Sequence, residues 1–138
     1  MISNEKIQAS VITKLQASAA LVARLKTKDE IKEDQWQGTT FAYPAVRVVL
    51  GSQTPSVAEN CVAAAISLSV MVSSEDASSK QADEIAGIIA NHLNKTSWSN
   101  TIQGVRFASL WVVSLIPAIH EGAVWKSEVR LQGLIEVP

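Results

Sequence analysis

The side chains able to do acid–base or metal chemistry are few in this sequence and lie far apart. The two histidines are His92, near the end of a helical pattern, and His120, which Glu121 follows directly. A His–carboxylate pair needs a nucleophile or further ligands beside it before it can support catalysis or bind a metal ion. Neither histidine has such a group at a suitable spacing, so the sequence predicts no catalytic role for either.

The other reactive groups in the sequence also give no indication of a catalytic or metal site. Acidic residues cluster between Asp29 and Asp34, but Lys28 and Lys32 are interleaved and no calcium-loop spacing appears, which favours a solvated segment. Cys61 is the single cysteine, which excludes an intrachain disulfide and a Cys-based zinc site within the chain. Phosphate-binding glycine loops and the common hydrolase motifs are absent. The sequence therefore predicts no catalytic, cofactor-binding or metal site.

The composition indicates a folded domain that covers part of its surface with partners. The 138 residues are 47% hydrophobic and 18% charged, with a formal net charge of −1. This length suits one domain over residues 1–138, and the charged fraction is below the roughly 25% of typical soluble domains. The Lys and Arg residues do not form a cluster of the kind that indicates nucleic-acid binding. No signal peptide and no apolar run of ~20 residues is visible, so no membrane partner is expected.

Hydrophobic periodicity gives the elements that would position these side chains. Ile7, Val11 and Leu15 recur at helical spacing and predict a helix over residues 4–26. Ile66 and Leu68 alternate with serines within residues 61–73, the two-residue period of a strand with one buried face. Further patterns predict strands at 45–50, 105–116 and 124–137 and a helix at 79–95, separated by connections at 27–43, 51–59, 96–104 and 117–122.

Together these elements predict an α+β fold. Their order is helix, strand, strand, helix, strand, strand (αββαββ), and the short connections favour antiparallel neighbours. The expected architecture is an antiparallel four-stranded sheet with two helices packed on one face. The long connection at 27–43 is polar and variable in character.

The strand at 105–116 is apolar on both sides. The alternation places Phe107, Trp111, Val113 and Leu115 on one face, with Leu110 among the residues on the other. We therefore expect both faces of this strand to be covered.

Aromatic residues outside the regular elements are the candidate interface residues. Trp36 and Phe41 lie in or just after the long connection, and Trp98 lies in the loop at 96–104. They either pack back onto the domain or anchor a neighbouring subunit, since aromatic side chains dominate interface energetics. Arg47 joins this set because it points away from the apolar face of its strand. An open antiparallel sheet also leaves edges that copies of the chain could pair.

The order and pattern of these segments resemble the tail terminator (tail completion) proteins of long-tailed bacteriophages. The resemblance covers most of the chain. It rests on the segments ITKLQASAALVARL, YPAVRVVLG, CVAAAISLSVMVSSED, ADEIAGIIANHL, GVRFASLWVVS and WKSEVRLQGLIEV.

The resemblance implies a structural subunit without catalytic residues or a cofactor. Such a subunit forms a homo-hexameric ring at the head-proximal end of the tail tube, stops tube polymerisation and presents a surface for head–tail joining. The implied partners are further copies of the chain, the tail tube protein and the connector or neck proteins. DNA would pass through the ring without sequence-specific recognition. The implied location is the neck end of the tail in the virion, assembled in the host cytoplasm.

Two other interpretations stay open at the level of sequence. A head-completion or neck adaptor subunit would share the structural role but not the tube-capping one. A small non-viral ligand-binding or enzymatic α+β module is also compatible, because fold alone does not specify function.

Overall fold

The computed structural model describes residues 3–25, 28–33, 43–55, 63–102 and 105–136. Within these ranges the chain forms three α-helices and six strands. In chain order they are α1 (Asn4–Gln16), α2 (Ala19–Val22), β1 (Ile31–Glu33) after a short 3-10 helix (Lys28–Glu30), β2 (Ala45–Pro55), β3 (Ala63–Ser74), α3 (Lys80–Leu93), β4 (Thr96–Ile102), β5 (Val105–Glu121) and β6 (Val124–Glu136).

The strands form one six-stranded mixed sheet, curved into a half-barrel, in the order β1-β2-β3-β6-β5-β4. β1 pairs with β2 in parallel, and every other neighbouring pair is antiparallel. More than half of the described structure is strand. The predicted fold class, a four-stranded antiparallel sheet with two helices in αββαββ order, was therefore wrong.

The prediction failed at the edges of the sheet and at one helix break. β1 and β4 lie within the segments interpreted as polar connections, because a short edge strand need not carry the apolar alternation of a half-buried one. The predicted first helix is divided at Ser18, whose side chain accepts a hydrogen bond from the backbone N–H of Leu21 at 3.3 Å and caps α2.

The core lies between the helices and one face of the sheet. The alternation predicted for β3 is confirmed: Ile66, Leu68, Val70 and Val72 are buried, and the intervening serines are half-buried. β3 is paired on both sides, with β2 and β6. The helices contribute the complementary apolar residues, all of them buried: Ile7, Val11 and Leu15 from α1, Leu21 from α2, and Ala82, Ile85, Ala86, Ile89, Ala90 and Leu93 from α3.

β5 and β6 form a long hairpin. Glu121 pairs with Val124, which leaves a two-residue turn in which Gly122 has φ of 63°. Such tight hairpin turns need a positive φ, which glycine adopts without steric cost. The residues predicted as a turn at 117–122 are therefore mostly strand. Register shifts interrupt the pairing of β5 with β6 between Phe107 and Ser109 and at two later points.

Gly133 of β6 provides a test of how closely the hairpin strands approach. A Cβ atom at this position would lie 2.7 Å from the backbone oxygen of Ser109 and 3.0 Å from the Cδ1 atom of Leu110. We expect Gly133→Ala to lower the free energy of unfolding by about 1–3 kcal/mol, because the β5 backbone must move.

Denaturant unfolding followed by circular dichroism measures this change. Gly87→Ala in α3 is the matched control, because a Cβ there meets no atom within 4 Å and alanine favours the helix. The control should be neutral or stabilising. Equal stabilities for the two alanine variants would contradict the close approach at Gly133.

Candidate interaction surface

The structure locates two of the four residues predicted for an interface. Trp36 and Phe41 lie outside the described residues. Trp98 lies in β4, where its backbone is opposite Phe107 of β5. Arg47 lies in β2, on the other side of the sheet from β4. The structure therefore does not bring Arg47 and Trp98 together, and the assignment of all four residues to an interface stays a prediction.

Arg47 is only 7% exposed in the subunit. Its guanidinium donates hydrogen bonds to the backbone oxygens of Glu30, at 2.7 Å, and Val46, at 2.9 Å. These bonds attach the 3-10 helix before β1 to the second strand. The charged head of Arg47 thus stabilises the β1 edge of the sheet in the subunit.

A row of exposed apolar side chains lies along the β5–β6 hairpin. Trp111, Val113, Leu115 and Ile119 of β5 and Leu134 of β6 are 37–59% exposed, and they are the large exposed hydrophobic residues of the described chain. We call these five residues the apolar row. Large apolar side chains exposed along the same pair of strands are candidates for a contact with another macromolecule. This row is therefore the candidate interaction surface.

The first register shift of β5 places Trp111 outside the core. Val105 and Phe107 are buried, but after the shift between Phe107 and Ser109 the buried residue is Leu110. A β-bulge adds one residue to one strand and so exchanges the faces of the residues that follow. The expectation that Phe107 and Trp111 share one covered face was therefore wrong. Nothing in the local sequence marks the bulge.

Two members of the row border a shallow depression on the sheet. Trp111 and Leu134 line a cavity of about 230 Å³ together with the small residues Ala65, Ser67 and Gly133. Small side chains beside an exposed tryptophan leave room for an apolar side chain from outside. Ser52 and Ser67, also at this depression, are joined through their hydroxyl groups at 3.1 Å, so their polar atoms do not need a ligand.

The charges on the hairpin are paired locally. Lys126 bonds to Glu121 at 3.3 Å, and Arg106 approaches Glu136 at 3.7 Å. Arg130 forms an ion pair with Glu128. Three basic and three acidic side chains thus balance along the two strands. Exposed pairs of this kind contribute little stability, so the apolar row, not an electric field, distinguishes this surface.

The histidines have structural contacts. His92 forms a hydrogen bond of 3.0 Å with the backbone oxygen of Lys14, which joins α3 to α1. The ring of His120 lies 4.7 Å from that of Trp125 across the hairpin. Among the described residues no three His, Cys, Asp or Glu side chains are grouped as metal ligands. The helices in the described ranges are too short or too polar to cross a membrane.

A second cavity lies between α1 and the β1–β2 side of the sheet. It has a volume of about 500 Å³ and is lined by Glu5, Gln8 and Ile12 of α1 with Glu33 and Leu50. The side-chain oxygen of Gln8 is already bonded within the subunit, because it accepts a hydrogen bond from the backbone N–H of Leu50 at 3.1 Å. The lining therefore offers mainly carboxylates, amides and aliphatic carbon, without a Ser, Thr, Cys, Lys or His side chain.

Comparison with known proteins identifies a similar fold. The chain is similar to a chain in the solved structure of the virion of a native gene transfer agent particle. The two superpose with a TM-score of 0.70 over 94% of each chain, at 17% sequence identity. This likeness is one of fold. No protein-family model matches the sequence, and no curated protein matches it either.

The apolar row predicts that the hairpin promotes association of the subunits. We expect the double substitution Val113→Ser and Ile119→Ser to change the free energy of unfolding by no more than about 0.5 kcal/mol per site relative to the unaltered chain, because both side chains are exposed. Each lost side chain removes on the order of 1–2 kcal/mol from a contact that buries it, so the dissociation constant should rise about tenfold per substitution.

Sedimentation or light scattering over a concentration series measures this association. Val22→Ser is the matched control, since Val22 is a half-buried residue of α2 on the helix-covered side of the sheet. The control should associate like the unaltered chain. Association of the double variant at unchanged strength would show that the row is not the contact.

Proposed function

We propose that this protein is a structural subunit of a phage-like virion and acts there as a tail terminator. In this role it forms a ring on the head-proximal end of the tail tube, ends tube polymerisation and presents a surface for head–tail joining. The observation that carries the proposal is the fold, which matches a chain of a gene transfer agent virion over 94% of both chains. The segment pattern of tail terminators supports the same role.

The surface of the subunit is compatible with assembly. The apolar row is rigidly held on a long antiparallel hairpin, and the neighbouring charges are neutralised in pairs. A surface whose charges are paired can be buried against another protein without the desolvation penalty of isolated ions. We propose that the row packs on an adjacent copy, in a head-to-tail contact that closes into a ring.

The described residues carry no constellation that favours an enzyme. His92 is bonded to the backbone, His120 lies against the ring of Trp125, and the larger cavity has no Ser, Thr, Cys, Lys or His side chain among its lining residues. The proposed partners are therefore proteins of the virion: copies of the chain, the tube protein and the neck proteins.

The native mass of the purified chain, measured by light scattering with and without tail tubes of the same virion, tests this function. We expect a discrete ring-sized species, formed either in solution or on the tubes, and tubes that stop growing once it is added. Val113→Ser with Ile119→Ser should weaken both effects, because it removes half of the exposed side chains that β5 contributes to the row.

Two outcomes would overturn the assignment. Rings that bind the neck proteins but leave tube growth unchanged would assign the chain to a neck adaptor instead. A chain that stays monomeric at every concentration and does not bind the tubes would contradict a structural role in the virion.

A further inference from the structure

In the described chain, the second strand from each end of the sheet, β2 and β5, is longer than the edge strand paired with it. The ladder between β4 and β5 ends where Thr96 pairs with Leu110, although β5 continues to Glu121. Within the described ranges, β6 alone pairs with β5 beyond that point. On the opposite side, the described part of β1 pairs with β2 from Val46 to Val48, and β2 continues to Pro55.

Helix side chains take up backbone donors in these uncovered parts. The N–H of Val112 donates to the Oδ1 atom of Asn94 at 3.0 Å, and the N–H of Ala118 donates to the Oδ1 atom of Asp83 at 2.8 Å. At the other edge the N–H of Leu50 donates to the side-chain oxygen of Gln8. In each case a side-chain oxygen stands where the carbonyl of a further strand would otherwise accept.

The positions of Asp83 and Asn94 show that α3 lies along the uncovered edge of β5. Asp83 is in the first turn of the helix, and Asn94 is its C-terminal cap. The eleven residue steps from Asp83 to Asn94 span ~16 Å of helix. This is close to the ~20 Å that the six steps from Val112 to Ala118 span in an extended strand, before the register shifts shorten it. The helix and the strand therefore run in opposite directions, with one bond near each end.

Between these two bonds the flank of α3 is open. Gly87 lies one helical turn after Asp83 on the same flank, and a Cβ there would have no atom within 4 Å. Two separate polar contacts, near the two ends of α3, thus take up backbone donors of this edge. Substituting the two side chains would remove both contacts without removing an apolar residue from the core.

We propose that Asp83 and Asn94 close the β5 edge against pairing with a strand of a second copy of this chain. Unpaired N–H and C=O groups on an edge are a template for strand addition, and proteins block it by covering the edge. A second copy is the relevant partner because its sheet offers a partly covered edge on the opposite side, at β2. Pairing of β5 to β2 is a head-to-tail contact, so it would repeat from copy to copy and continue as an open-ended assembly wherever the rotation between copies does not close a ring.

Alanine substitution of both capping residues tests this inference in the full chain. We expect Asp83→Ala with Asn94→Ala to speed amide hydrogen exchange at Val112 and Ala118 at least tenfold. The average mass should then grow continuously with concentration, without stopping at one species. Asp83→Asn with Asn94→Asp is the conservative control, since each replacement keeps a side-chain acceptor oxygen at the same position.

The experiment must distinguish a loss of overall stability from exposure of the β5 edge. Ser18→Ala removes the cap of α2, far from β5 in the chain, and serves as the matched destabilised variant. If this variant grows in mass like the double alanine variant, the proposal is wrong. It is also wrong if the double variant keeps the mass and exchange rates of the unaltered chain. If the double variant does not fold, the rate of amide hydrogen exchange at Ala118 is measured in the single variant Asp83→Ala.

Discussion

A β-strand surrounded by solvent or protein must satisfy its backbone hydrogen bonds on both sides, and unequal strand lengths make this difficult here. β5 has 17 residues, whereas its neighbour β4 has seven. β2 has 11 residues beside the three described residues of β1. α1 and α3, packed on the sheet through their apolar residues, carry the oxygens of Gln8, Asp83 and Asn94 to backbone donors beyond the described ladders.

The greater length of β5 also bears on which side chains the subunit exposes. The helices cover one face of the sheet, and the distal part of the β5–β6 hairpin extends past the strongly buried residues. Its side chains alternate between half-buried and exposed positions from Trp111 to Ile119. A long hairpin can therefore keep apolar side chains outside the core while its backbone stays paired with β6 up to the turn at Gly122.

The sequence predicted the elements with strong periodicity and missed those without it. The alternation of β3 and the apolar stripe of α3 were confirmed, because a half-buried strand and an amphipathic helix leave periods of two and 3.6 residues. β1 and β4 were not predicted, because edge strands are short and tolerate polar residues. The break at Ser18 depends on one hydroxyl group that caps α2, a detail that a continuous apolar stripe conceals.

The candidate surface was the least predictable part, for a physical reason. The sequence suggested isolated aromatics in connections, but the apolar row lies within a strand that looked covered on both faces. Which face a residue occupies depends on every bulge before it, and the bulge near Phe107 arises from the pairing with β6. The two backbones approach so closely in this pairing that a Cβ atom on Gly133 would lie 2.7 Å from the oxygen of Ser109.

Copies of this subunit could associate by pairing strand edges or by packing side chains. Either contact, if head-to-tail, closes into a ring or continues as a filament according to the rotation that it sets between copies. The structure separates these two modes: oxygens from α1 and α3 occupy backbone donors at the edges, and the apolar row leaves a side-chain face available. The described contacts therefore favour association through the exposed side chains of the hairpin over pairing of the edges.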